Sequence, residues 1–217
     1  MKATEMLHIL KTQNKRLLIV WLVTFIAFIV FPLMLLLIVI AEPLILLVYS
    51  AKWLPCVPYF RILCIAGLAI SLQMINYNAI AAIGKSNILF RWTIIKRSIG
   101  LILNICGLLF FGIYGLLWGS VLTSYTLYFI NACLVSKHVG YNVKEQLSDL
   151  LPIILISATT FLISSFVYNI IGNNNYMVML LIIGIYVVVY LLLSKIFNRL
   201  QFSEFIHLAK DIIKHRK

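Results

Sequence analysis

Six apolar runs alternate with short polar connections along the chain: Leu17–Ala41, Tyr59–Ile83, Thr93–Phe111, Leu116–Val135, Leu151–Ile171 and Met177–Phe197. About 20 mainly apolar residues cross a bilayer as a helix. Lipid offers no partner for a backbone N–H or C=O, so each run is expected to be helical. The expected fold class is an all-α integral membrane protein of about six transmembrane helices. It divides into a basic tail 1–16, a six-span domain 17–197 and an amphipathic basic tail 198–217. Within the first run Pro32 removes a helical donor, which predicts a kink. The run Pro43–Ser50 is too short to cross and reads as a lip at the interface, within an outer loop 42–58. That loop contains "AKWLPCVPYFRILC", where Pro55 and Pro58 are expected to break the helix between them and turn the chain back. Lys52, Trp53 and Tyr59 beside them suit the headgroup layer as interfacial anchors.

Composition agrees with burial in lipid: 63% of residues are hydrophobic and 11% are charged, a balance that cannot cover a surface in water. The formal charge of +12 raises nucleic acid as a partner, but the basic residues fall at the ends of apolar runs rather than among stacking aromatics on a polar platform. Nucleic-acid binding is therefore excluded and membrane lipids are the expected surroundings. Sixteen of the 18 Lys and Arg residues fall on one side of a six-span topology, and only Lys52 and Arg61 fall on the other. The positive-inside rule then places both termini of this multi-pass chain in the cytoplasm. The first run is longer than the roughly 7–15 residues of a signal-peptide core, so it reads as a retained span.

Little in the chain suggests catalysis. The six acidic residues lie outside the runs, and no two form a facing pair for acid–base work. Glu145 and Asp149, one helical turn apart, read as a solvated face. Cys56, Cys64, Cys106 and Cys133 show no metal-ligand spacing, and no cofactor is implied. The polar residues inside the second run carry more information. Gln73, Tyr77 and Ala81 repeat every four residues, with Asn76 beside them and Asn78 following. Interhelical hydrogen bonding and a polar substrate route both account for them. Arg61 likewise either snorkels to the headgroups or offers its forked donors to a phosphate in a cavity. The candidate route-lining residues are thus Arg61, Gln73, Asn76 and Asn78. Gly115, Gly119 and Thr123 have the small-xxx-small spacing of close helix packing. From Phe202 onward, apolar residues on one face and basic residues elsewhere suggest a helix on the inner membrane surface.

The succession "VFPLMLLLIVIAEPLILLVYSAKWLPCVPYFRILCIAGL", "NYNAIAAIGKSNILFRWTIIKR" and "GIYGLLWGSVLTSYTLYFINA" resembles bacterial polysaccharide flippases. These are the O-antigen and capsule repeat-unit transporters of the multidrug/oligosaccharidyl-lipid/polysaccharide exporter superfamily. The resemblance is strongest from Phe31 to Ala132. It implies the C-terminal part of a two-lobe transporter of about twelve to fourteen spans in a bacterial inner membrane, with a missing N-terminal half as partner. It also implies movement of an undecaprenyl-pyrophosphate-linked oligosaccharide in lipopolysaccharide or other surface-polysaccharide synthesis, with a piece of this length inactive alone. Two other readings are a non-transporting membrane scaffold or gene remnant, and an integral membrane glycosyltransferase. Sugar chemistry wants a positioned acid or base, and the scarcity of carboxylates counts against the last.

The topology has a direct check. A reporter active only in the cytoplasm, fused after Lys217, is expected to be active, and an impermeant thiol reagent outside the cell is expected to reach Cys56. An inactive reporter with Cys56 reached only from the cytoplasmic side contradicts the assignment.

Overall fold

The computed structural model describes residues 15–84, 86–171 and 176–197. Most of the two tails, Lys85 and the connection 172–175 lie outside the described residues, and with them the surface helix expected from Phe202 onward. The described residues are helical almost throughout: α1 (Lys15–Val39), α2 (Ala41–Val48), a 3-10 turn (Ala51–Cys56), α3 (Val57–Ala82), α4 (Ser86–Val139), α5 (Val143–Ile171) and α6 (Tyr176–Phe197). Five of them are long and apolar enough to cross a membrane. The all-α multi-pass membrane class expected from the apolar runs is the class observed.

One of the five supplies two crossings. As a straight rod, the 54 residues of α4 would be roughly 80 Å long, far more than a bilayer. The helix instead folds back at Gly112, whose φ of 63° belongs to the left-handed region where a side chain is strained. Its arms, 86–111 and 113–139, form an antiparallel hairpin held together by small residues. A Cβ on Gly107 would overlap the Gly115 carbonyl, and one on Gly115 would overlap the Gly107 carbonyl. A Cβ on Gly119 would meet the Leu103 carbonyl oxygen at 2.8 Å, and one on Gly100 would meet Thr123 Cγ2 at 2.9 Å. Gly115, Gly119 and Thr123 thus sit on the face that meets the other arm. Ser120 Oγ, beside them, donates to Asn104 Oδ1 at 3.2 Å.

Lipid tails are as apolar as leucine, so close approach of backbones has to replace the hydrophobic drive between helices. Alanines do this work at the centre of the bundle, where Ala27, Ala69, Ala79 and Ala132 are buried between α1, α3 and the second hairpin arm. The hairpin packs chiefly on α3, α1 lies between α3 and α5, and α6 lies on α5. Large apolar side chains such as Leu109, Phe110 and Phe111 point outward, as lipid permits.

The outer loop departs from expectation. The chain between Pro55 and Pro58 is not irregular, because the 3-10 turn contains Pro55 and α3 begins at Val57. Pro58 falls in the first turn of α3, where its missing N–H costs nothing. The chain leaves α2 at Ser50, a non-glycine residue at φ 92° just before the 3-10 turn. The lip at Pro43–Ser50 is mostly helical, as part of α2, and α1 continues as one helix through Pro32. Lys52 and Trp53 are exposed, and the Tyr59 ring packs on Tyr114 with centroids 5.0 Å apart, which ties the start of α3 to the tip of the hairpin.

At the other end, α5 begins eight residues before the apolar run that announced it. Glu145 reaches back to the Asn142 N–H at 3.2 Å, a cap on the helix start, and also takes the Arg16 guanidinium at 2.8 Å. Asp149 accepts the hydroxyl of buried Tyr141 at 2.7 Å. Burial, then this carboxylate, push the Tyr141 phenol well above its usual range, so it remains a proton donor throughout the neutral region. Glu145 thus ties α5 to α1 and Asp149 ties α5 to the connection before it, so the two acids are not simply a solvated face.

Substitution should separate the glycines by their surroundings. Gly107→Leu or Gly115→Leu is expected to cost at least about 1–3 kcal/mol by forcing the hairpin apart. Gly184→Ala in α6, where a Cβ would meet nothing within 4 Å, is expected to be neutral or stabilising by up to about 1 kcal/mol. Reversible unfolding in mixed micelles measures both, and equal effects would contradict the packing described.

Candidate functional site

Hydrocarbon penalises a charged side chain unless water or other polar groups meet it, so buried cations within the spans mark where to look. Lys96, in the first arm of the hairpin, is 6% exposed. Its Nζ donates to Asn131 Oδ1 of the second arm at 2.7 Å and lies 5.2 Å from the centre of the Tyr77 ring of α3. Asn131, 3% exposed, is fixed in turn, because its Nδ2 donates to the backbone carbonyl of Gln73 at 3.1 Å. One lysine thereby draws three spans together. An ammonium has three N–H donors, and the amide and the ring face occupy two directions.

The remaining side of this cluster opens into a recess of about 340 Å³ lined by Gln73, Tyr77, Thr93, Lys96, Arg97 and Asn131, with Met74 and Leu127 at its apolar margin. Arg97 is exposed and brings a second positive charge. No carboxylate balances either charge among the described residues. Glu145 is held by Arg16, Asp149 by Tyr141, and Glu42 lies in α2 at the opposite end of the bundle. A half-enclosed space with two cations, two amides and a phenol offers the positive charge and N–H and O–H donors that suit an anion. Other hollows among the described residues are mainly apolar, such as the one bounded by Phe31, Leu68, Tyr125 and Leu147.

The four route-lining candidates do not converge. Gln73 lines the recess. Asn76 is fully buried on another face of α3, where its Nδ2 donates to Gln146 Oε1 of α5 at 3.2 Å. Asn78 is exposed on the outside of the bundle. Arg61 lies three turns of helix away from Gln73, and its Nε donates to the Ile38 carbonyl at 3.3 Å near the end of α1. Pro43 has no N–H for the neighbouring Val39 carbonyl, so the helix is loosened where this guanidinium arrives. Lys96, Arg97 and Asn131 did not stand out in the sequence because "IIKR" reads as one more basic flank. A signal was nevertheless present: Lys96 and Arg97 fall inside the run that begins at Thr93.

These features define a multi-pass helical membrane protein with a cationic recess between spans. A family model described as polysaccharide biosynthesis protein matches residues 11–58, which comprise α1, α2, the outer loop and the first residues of α3. No curated protein and no solved structure matches the chain.

The Lys96–Asn131 contact can be weighed by a double-mutant cycle of Lys96→Met and Asn131→Leu. A bond to a charged group predicts a coupling of about 1–3 kcal/mol in unfolding free energy. Additive effects would mean that the two side chains merely lie near each other.

Proposed function

We propose that the chain takes part in moving lipid-linked oligosaccharide or polysaccharide repeat units across the bacterial cytoplasmic membrane, with both termini in the cytoplasm. The observation that carries this reading is the positive recess at Lys96 and Arg97, with no carboxylate against it among the described residues, in a protein whose residues 11–58 match a polysaccharide biosynthesis family. A lipid-linked sugar carries its negative charge where lipid and glycan join, and a transporter has to solvate that charge while it is near hydrocarbon. We read the role as transport and not chemistry. Of the three described carboxylates, Glu145 and Asp149 cap, pair and accept hydrogen bonds within the structure, leaving them poorly suited to acid–base work.

The recess has room for a small anionic group and not for an oligosaccharide, so on this reading a second helical bundle completes the route. That partner corresponds to the other lobe implied by the flippase resemblance, with this chain supplying the C-terminal part. Deleting the gene in its source bacterium is expected to lower surface polysaccharide and to leave lipid-linked repeat units accumulating on the cytoplasmic face. The wild-type gene should restore both, and the double variant Lys96→Gln/Arg97→Gln should not. Unchanged surface polysaccharide and unchanged lipid-linked intermediates on deletion would overturn the proposal.

A further inference from the structure

We infer that the recess between α3 and the α4 hairpin is a binding subsite for the phosphate of a lipid headgroup, entered sideways from the cytoplasmic leaflet. The inference rests on the membrane orientation proposed above, and its chemistry rests on the recess alone. Depth comes first. Lys96 is sixteen residues from the turn at Gly112, or about 24 Å along a helix. The hydrocarbon layer is about 30 Å thick. With the aromatic pair Tyr59–Tyr114 and Trp53 in the outer headgroup layer, Lys96 and Arg97 come to the inner edge of the hydrocarbon, where lipid phosphates lie.

Chemistry points the same way. A phosphate oxygen can take the remaining N–H of Lys96, and the flat fork of Arg97 can bind two more oxygens. The Tyr77 hydroxyl and the Gln73 amide are further donors on the same wall. Two positive charges match a phosphomonoester or diphosphate, which carry about two negative charges near neutral pH. The access is also specific. Arg97 is exposed on the outside of the bundle while Lys96 is buried, so an anion can reach Lys96 past Arg97 without the helices parting. Met74 and Leu127 at the margin offer an apolar surface to the acyl or prenyl chain that follows the headgroup.

The test uses the full chain in nanodiscs of phosphatidylcholine with a small fraction of either phosphatidic acid or a polyprenyl diphosphate. Lipid retained by the protein is read by native mass spectrometry, and a third arm offers inorganic diphosphate without anionic lipid. Both lipids are expected to be retained over phosphatidylcholine. Lys96→Gln and Arg97→Gln should each lower retention by about tenfold or more, with Lys52→Gln at the opposite interface unchanged. Arg97→Gln alters an exposed side chain and keeps the test decisive should Lys96→Gln lower the yield of folded protein. Retention indifferent to both substitutions overturns the subsite. Inorganic diphosphate bound as tightly as the lipids overturns the lipid as its source. Retention that depends on Lys96 and Arg97, in a cell whose polysaccharide is unaffected by deletion, supports the subsite and removes only the transport reading.

Discussion

The reverse turn at Gly112 is the constraint on which the rest of the arrangement depends. A left-handed φ at this residue lets the two arms of α4 start back along each other at once, and the glycine contacts between 107 and 115 leave them a single register. Each contact pairs residues at nearly equal distances from the turn: 107 with 115, 104 with 119 and 120, 100 with 123. Carried one and two turns further, the same register sets Lys96 against Leu127 and Asn131, the two residues of the second arm that line the recess. The cationic recess is therefore a consequence of how the hairpin closes.

Its energetics follow from what Lys96 would otherwise face. An ammonium in hydrocarbon is costly, and no carboxylate among the described residues neutralises this one. A neutral amide at 2.7 Å and the face of a phenol lower the cost while leaving the charge in place. A carboxylate in the position of Asn131 would hold the lysine more firmly and would also cancel the attraction for an anion. Asn131 spends its other end on the α3 backbone, which ties the hairpin to the bundle through the same side chain that positions the cation. The opposite treatment is seen at Arg16, where Glu145 answers the charge directly and both side chains remain partly in water.

The spans were readable from the sequence because lipid imposes one rule on every apolar run, and the six runs correspond to α1, α3, the two arms of α4, α5 and α6. The ends of the helices were less readable. Polar residues in the headgroup layer can be helical at no cost, so α4 and α5 each begin several residues before their apolar runs. The outer loop was misread at its prolines, since a proline forbids a helix only after its first turn, and Pro58 lies within that turn. At the site, the stripe at Gln73 and Tyr77 was legible from its spacing of four. Asn76 belongs to a different interface because the positions next to such a stripe face other neighbours. Asn131 carried no local signal, since its importance arises from a residue 35 positions away across the hairpin. Lys96 and Arg97 were visible as charges, but read as one more basic flank they gave no sign of the recess that they line.

The central claim is that a hydrated, positively charged recess opens at the basic end of the bundle, and the charge dependence of thiol labelling tests it most directly. Gln73→Cys would be made with Cys56, Cys64, Cys106 and Cys133 replaced, in inside-out membrane vesicles, and its reaction rates with a negatively and a positively charged thiosulfonate reagent compared. The account predicts that the anionic reagent reacts faster than the cationic one, and that Lys96→Gln with Arg97→Gln removes the preference. A thiol at this position that neither reagent reaches, or one that reacts with both regardless of Lys96 and Arg97, would contradict it.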